Sequence, residues 1–67
     1  MTMIQIHSGA ISEVEYHNKK EEFEVHFRDG TMTTYKKVPK NVYANFLKAE
    51  SKGKFFNYNI RGVYADD

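Results

Sequence analysis

Between Ser51 and Tyr64 the chain reads Ser-Lys-Gly-Lys-Phe-Phe-Asn-Tyr-Asn-Ile-Arg-Gly-Val-Tyr, with basic and aromatic residues interleaved. Single-stranded nucleic acid asks for that pairing, because cations hold its phosphates while exposed rings stack on its bases. Lys52, Lys54 and Arg61 can supply the charge, and Phe55 and Tyr58 a stacking face. Lys36, Lys37 and Lys40 can extend such a patch. A purely structural role competes with this. Phe56 and Ile60 stand one helical turn apart, as core residues do, and Phe55 can join them. Asn57 and Arg61, also one turn apart, can simply satisfy backbone groups near a helix end.

Other chemistries find less support. His7, His17 and His26 are the only histidines, and no two have the i, i+4 spacing that sets two imidazoles on one helical face. There is no cysteine, so thiolate metal sites, disulfides and cysteine nucleophiles are excluded. His26 falls on the solvent face of a strand and His17 in a turn, so no metal site is expected. Ser8, Ser12 and Ser51 lack the G-x-S-x-G context of a nucleophile elbow, and the four glycines are scattered rather than gathered into a phosphate loop. The carboxylates flank a hairpin on exposed strand faces, not in the low-polarity cleft that general acid–base work needs. No catalytic residue and no cofactor is expected, and the protein reads as a binding domain rather than an enzyme.

A chain of 67 residues makes one domain, here 1–67 with order expected from about 8 to 64. A domain of that size has a thin core, and with no disulfide to staple it the five Phe and five Tyr must carry the packing. The absence of cysteine suits a reducing cytoplasm. No apolar run of about 18 residues is present to cross a membrane, and the first six residues lack the basic and apolar regions of a secretory signal. The net charge of +1 conceals an uneven distribution. Residues 1–35 carry Lys19, Lys20 and Arg28 against six carboxylates, a net −3. Residues 36–61 carry Lys36, Lys37, Lys40, Lys48, Lys52, Lys54 and Arg61 against Glu50 alone, a net +6. Such asymmetry suits an anionic partner, although a charged surface also serves solubility.

The elements that must position these residues follow from periodicity. Val14 and Tyr16 share one face of a strand over Ile11–Tyr16, with Glu13 and Glu15 on the other. Phe23-Glu-Val-His-Phe-Arg28 alternates with period two, Phe23, Val25 and Phe27 pointing inward. Asp29-Gly30 is a hairpin signal of the type I′ kind, and Thr31–Lys36 is the return strand. Pro39 suits the first turn of a helix, and Val42, Tyr43, Phe46 and Leu47 make its apolar stripe. Gly53 is placed to end this helix in a left-handed cap. A second helix is expected over Lys54–Ile60, broken by Gly62, with a loose acidic tail at Asp66 and Asp67. The expected class is α+β: a three-stranded antiparallel meander followed by two helices on one face, βββαα.

The run Tyr35-Lys-Lys-Val-Pro-Lys-Asn-Val-Tyr43, followed by Phe46 through Tyr64, closely resembles the KTSC domain. That domain is named for the C-terminus of some lysyl-tRNA synthetases and also occurs as a stand-alone protein in bacteria and phages. Ser8, Ile11, Val14, Tyr16 and the Phe23–Phe27 strand also match, so the resemblance covers nearly the whole chain. Its most specific part is S-x-G-x-[FY]-[FY]-N-x-x-I-R-x-x-[YF], met from Ser51 to Tyr64. One departure is Thr33-Thr34-Tyr35, which keeps only the second tyrosine of a Y-x-Y usual in the family. The resemblance implies no catalytic residue and no cofactor, and adds a suggested association with RNA.

Two functions follow as expectations. The first is binding of RNA or another single-stranded nucleic acid, with Lys36, Lys37, Lys52, Lys54 and Arg61 on phosphates and Phe55 and Tyr58 on bases. The second is docking on a host or phage protein, or weak homodimerisation of an otherwise monomeric chain, through an open strand edge at Thr31, Thr33 and Thr34.

Overall fold

The computed structural model describes residues 3–64, and Asp66 and Asp67 lie outside the described residues. Four strands form one antiparallel sheet in chain order: β1 (Ile4–Gln5), β2 (Ile11–His17), β3 (Glu22–Phe27) and β4 (Met32–Tyr35). Helices α1 (Lys40–Lys48) and α2 (Lys52–Asn59) follow. The meander expected from periodicity is therefore present, extended by one short strand at its start. β1 pairs Ile4 with Val14 and Gln5 with Glu13, which continues the in–out alternation of β2. Ile6, just beyond it, is buried.

The register joins the apolar positions of neighbouring strands. Val14 faces Val25 and Tyr16 faces Phe23 across β2 and β3, and Phe23 faces Tyr35 across β3 and β4. Because alternate residues share a face, these rows make one apolar surface, and all of their residues are buried. The helices cover it. Phe46 of α1 and Phe56 of α2 are buried, while Val42, Tyr43, Leu47 and Phe55 pack partly buried against the same core. Aromatic rings interlock beneath both helices. Under α1, Tyr16 stacks on Tyr43 at 4.7 Å, and Phe23 meets Tyr43 and Phe46 edge-on. Under α2, Phe27 and Tyr35 both meet Phe56 edge-on. Phe46 and Phe55 connect the two groups at 6.2 Å. Pairs in these geometries add about 0.5–1.5 kcal/mol each beyond area burial, a useful supplement for a thin core.

Three local expectations are corrected. The β3–β4 turn is not type I′, which needs positive φ at both central residues. Gly30 has φ +95°, but Asp29 does not enter the left-handed region. The Gly30 N–H donates to the Phe27 carbonyl and the Phe27 N–H to the Thr31 carbonyl, so the loop takes three residues with glycine at the left-handed position. The Asp29 carboxylate accepts from the Thr31 hydroxyl at 2.7 Å and the Thr31 N–H at 2.9 Å. Those hydrogen bonds hold its carboxyl below the usual carboxylate range. Second, Gly53 does not end the first helix. The chain leaves α1 through an extended Ala49, and Gly53 is already the second residue of α2. Third, Pro39 sits one residue before α1, where its carbonyl accepts from Val42 and Tyr43 N–H groups.

The segment joining β4 to α1 is pinned to the β2–β3 turn. Lys37 adopts φ +59°, turning the chain so that the Val38 N–H reaches the Glu21 carbonyl at 2.8 Å. The Val38 carbonyl in turn accepts from the buried Tyr16 hydroxyl at 2.6 Å.

Candidate nucleic-acid interface

Helix α2 presents the residues singled out from the sequence, and its phase divides them. Phe56 faces the core, so Lys54 and Tyr58, one turn apart, share the outward side. Both are exposed, and Tyr58 is the most exposed large apolar side chain among the described residues at 77%. Asn57 and Arg61 are exposed beside them. Phe55 falls on the other flank, half-buried, with its edge on Phe46. Its ring is thus partly committed to the core, and Tyr58 is the ring open for stacking. Lys52 is half-buried, and its Nζ donates to the Ala49 carbonyl at 3.2 Å, which ties the start of α2 to the end of α1. An ammonium has three donors, so two stay available to a phosphate.

The other cations lie on neighbouring segments. Lys40 and Lys48 are exposed at the two ends of α1. Lys36 and Lys37 are exposed where the chain leaves β4. Arg61 lies over the β3–β4 hairpin, lining a cavity of about 310 Å³ with Phe27, Asp29, Thr31, Thr33 and Tyr35. Thr33 therefore stands in that cavity wall. The side-chain bond to the backbone near the end of α2 comes from Asn59, whose Nδ2 donates to the Phe55 carbonyl at 3.2 Å, and not from Asn57.

The two sides of the sheet differ in charge, although Glu50 is exposed in the link between the helices and Asp29 lines the cavity beside Arg61. Neither helix contains a carboxylate. The sheet face turned away from the helices carries Glu13, Glu15 and His17 from β2 and Glu22, Glu24 and His26 from β3. Two imidazoles converge there on one carboxylate, His26 Nε2 at 2.8 Å and His17 Nε2 at 3.6 Å. Helical spacing could not reveal this group, because the hairpin register assembles it. The visible signal is the Glu-x-His that recurs at Glu15–His17 and Glu24–His26.

The specific stretch from Ser51 to Tyr64 can now be partitioned. Ser51 precedes α2, Gly53 lies against Ser8, Phe56 and Ile60 are core, and Tyr64 packs at its margin. Lys54, Asn57, Tyr58, Asn59, Arg61, Gly62 and Val63 are exposed on the surface. The sequence profile of the KTSC domain matches residues 7–64. The chain belongs to the KTSC domain family. The crystal structure of a KTSC domain protein from Yersinia pestis superposes with a TM-score of 0.94 at 29% identity. That match covers 98% of this chain and 93% of the other, so the KTSC fold accounts for the whole described chain. No curated protein sequence matches this KTSC domain. Among the described residues, no helix is long and apolar enough to cross a membrane.

Proposed function

We propose that this KTSC domain is a non-catalytic module that binds single-stranded nucleic acid, RNA before duplex DNA, on its helical layer. The observation that carries this function is the sorting of charge by the fold. Lys40, Lys48, Lys52 and Lys54 belong to two helices without a carboxylate, and Arg61 follows them. The glutamates of β2 and β3 occupy the opposite side of the sheet. A strand laid on the helices meets cations without approaching those acids, so the contact is one-sided. Tyr58 adds an open ring within the basic surface, and such a ring serves unstacked bases better than a closed duplex. The start of α2 contributes further, because its first N–H groups lack intrahelical partners and Ser51 makes no side-chain cap.

A heteronuclear NMR titration with a short mixed-sequence single-stranded RNA, at low and at moderate salt, tests it. Salt-sensitive shifts are expected at Lys52–Arg61, and the variant carrying Lys52→Glu, Lys54→Glu and Arg61→Glu should fold but lose them. A second function has its own motivation: β4 is a sheet edge, and its Met32 is 52% exposed. A spectrum that stays still at both salts would sink the nucleic-acid function. Strand addition of a protein partner at β4 would then take precedence, with concentration-dependent stability as the mark of a homodimer.

A further inference from the structure

The acidic face of the sheet holds a second arrangement, independent of the basic one. β2 and β3 each carry a Glu-x-His unit, Glu15-Tyr16-His17 and Glu24-Val25-His26. Their register sets Glu15 directly opposite Glu24, with His17 opposite Glu22 and His26 opposite Glu13. One ligand atom each from Glu15, His17 and Glu24 lies within 4.8 Å of the other two. Two carboxylates facing each other across neighbouring strands repel and cost stability. No Lys or Arg stands among the strand residues to offset them; the groups that approach are the imidazoles. The hydrogen bond from His26 to Glu24 at 2.8 Å accounts for that pair. It leaves Glu15 and His17, whose Nε2 stops at 3.6 Å from Glu24, beyond hydrogen-bond length.

We propose that Glu15, His17 and Glu24 form a binding site for a divalent transition metal of the zinc class, with His26 as a fourth donor or as the group that orients Glu24. Zinc takes imidazole nitrogen and carboxylate oxygen at about 2.0–2.2 Å, which puts the ligand atoms of a tetrahedral site roughly 3.3–3.6 Å apart. The present spacing of up to 4.8 Å is wider than that, so the side chains must close on the ion. The backbone beneath is held in register by the buried row of Val14, Tyr16, Phe23 and Val25, so the donors stand on a rigid support. Imidazole favours zinc, nickel and copper, whereas magnesium and calcium prefer oxygen ligands throughout. The side chains of His17 and Glu24 are partly exposed, at 24% and 21%, so an ion can enter from solvent and keep a water. A cation bound here also removes the repulsion between Glu15 and Glu24.

The test is calorimetric titration of the full chain with zinc chloride and with nickel chloride, paired with NMR shift mapping. One ion should bind per chain, with shifts or broadening centred on Glu15, His17, Glu24 and His26, reversed by chelator and absent with magnesium. His17→Ala and Glu15→Gln should each weaken zinc at least tenfold, while His7→Ala, on a histidine outside the group, should leave it unchanged. The outward position of both substitutions lets the fold persist, which the NMR spectrum checks directly. No saturable binding up to millimolar zinc, or equal affinity in the His17→Ala protein, would overturn the proposal.

Discussion

At the scale of single residues, Tyr16 joins the sheet to the segment that carries the basic residues. Its ring stacks on Tyr43, and its hydroxyl donates to the Val38 carbonyl, whose own N–H is held by Glu21. Tyr16→Phe keeps the ring and leaves a buried carbonyl without its donor, which costs about 1–3 kcal/mol. The expected result is a lower urea midpoint with an unchanged slope, since the surface exposed on unfolding stays the same. The same residue sets a pH limit. Burial, with Glu21 adding to it, raises the Tyr16 hydroxyl above its ordinary value, and burial raises that of Tyr43. In both cases the fold favours the neutral form. The stabilisation is therefore complete below the unfolded tyrosine value of about 10 and is lost as pH rises through the higher folded values. Urea unfolding at neutral pH and above pH 10 should show this loss in the parent and a smaller one in Tyr16→Phe. Identical alkaline losses in the two proteins would remove Tyr16 from the explanation.

At the scale of elements, Gly53 separates what the sequence made legible from what it did not. A glycine after an apolar helical stripe suggests a left-handed cap, where alanine would be strained. In the fold it belongs to the first turn of α2, and a Cβ there would meet only the Ser8 Oγ at 3.4 Å, ordinary contact. Gly53→Ala should therefore be neutral or stabilising, by up to about 1 kcal/mol, because alanine is the better helix former. Thermal unfolding decides it, and a marked fall in Tm would restore a strained conformation at this position. Neighbouring elements were more legible for physical reasons. Phe23, Val25 and Phe27 alternate because one sheet face is buried, and Val42, Tyr43, Phe46 and Leu47 repeat because one helix face is. β1 escaped because two residues make no period, and its pairing through Ile4 to Val14 is wholly tertiary. Phe55 was ambiguous for a related reason: at the flank of α2 its ring reaches the core without being enclosed by it. The Glu15, His17 and Glu24 group was invisible to helical spacing because it exists only once β2 and β3 are set in register.

At the scale of the whole molecule, the separation of charge makes a quantitative demand on nucleic-acid binding. Phosphate contacts release counterions, so the logarithm of affinity falls with the logarithm of salt, by about 0.7 per phosphate on a single strand. Stacking releases none. Lys54 and Tyr58 stand one turn apart on the same exposed side of α2, so both lie within one footprint and do different work. Lys54→Gln should flatten the salt slope by about 0.7 and leave affinity at high salt little changed. Tyr58→Ala should cost about 1–3 kcal/mol at every salt concentration and leave the slope as it was. Neither side chain is buried, so unfolding cannot produce either result. Fluorescence anisotropy with a labelled single-stranded RNA across a salt series distinguishes the two signatures. If both variants merely changed the slope, Tyr58 would be a bystander to a charge contact, and the preference for unstacked bases would lose its support. If neither changed anything in a protein that still bound, the strand would lie elsewhere than α2. The separation of charge would then serve solubility rather than recognition.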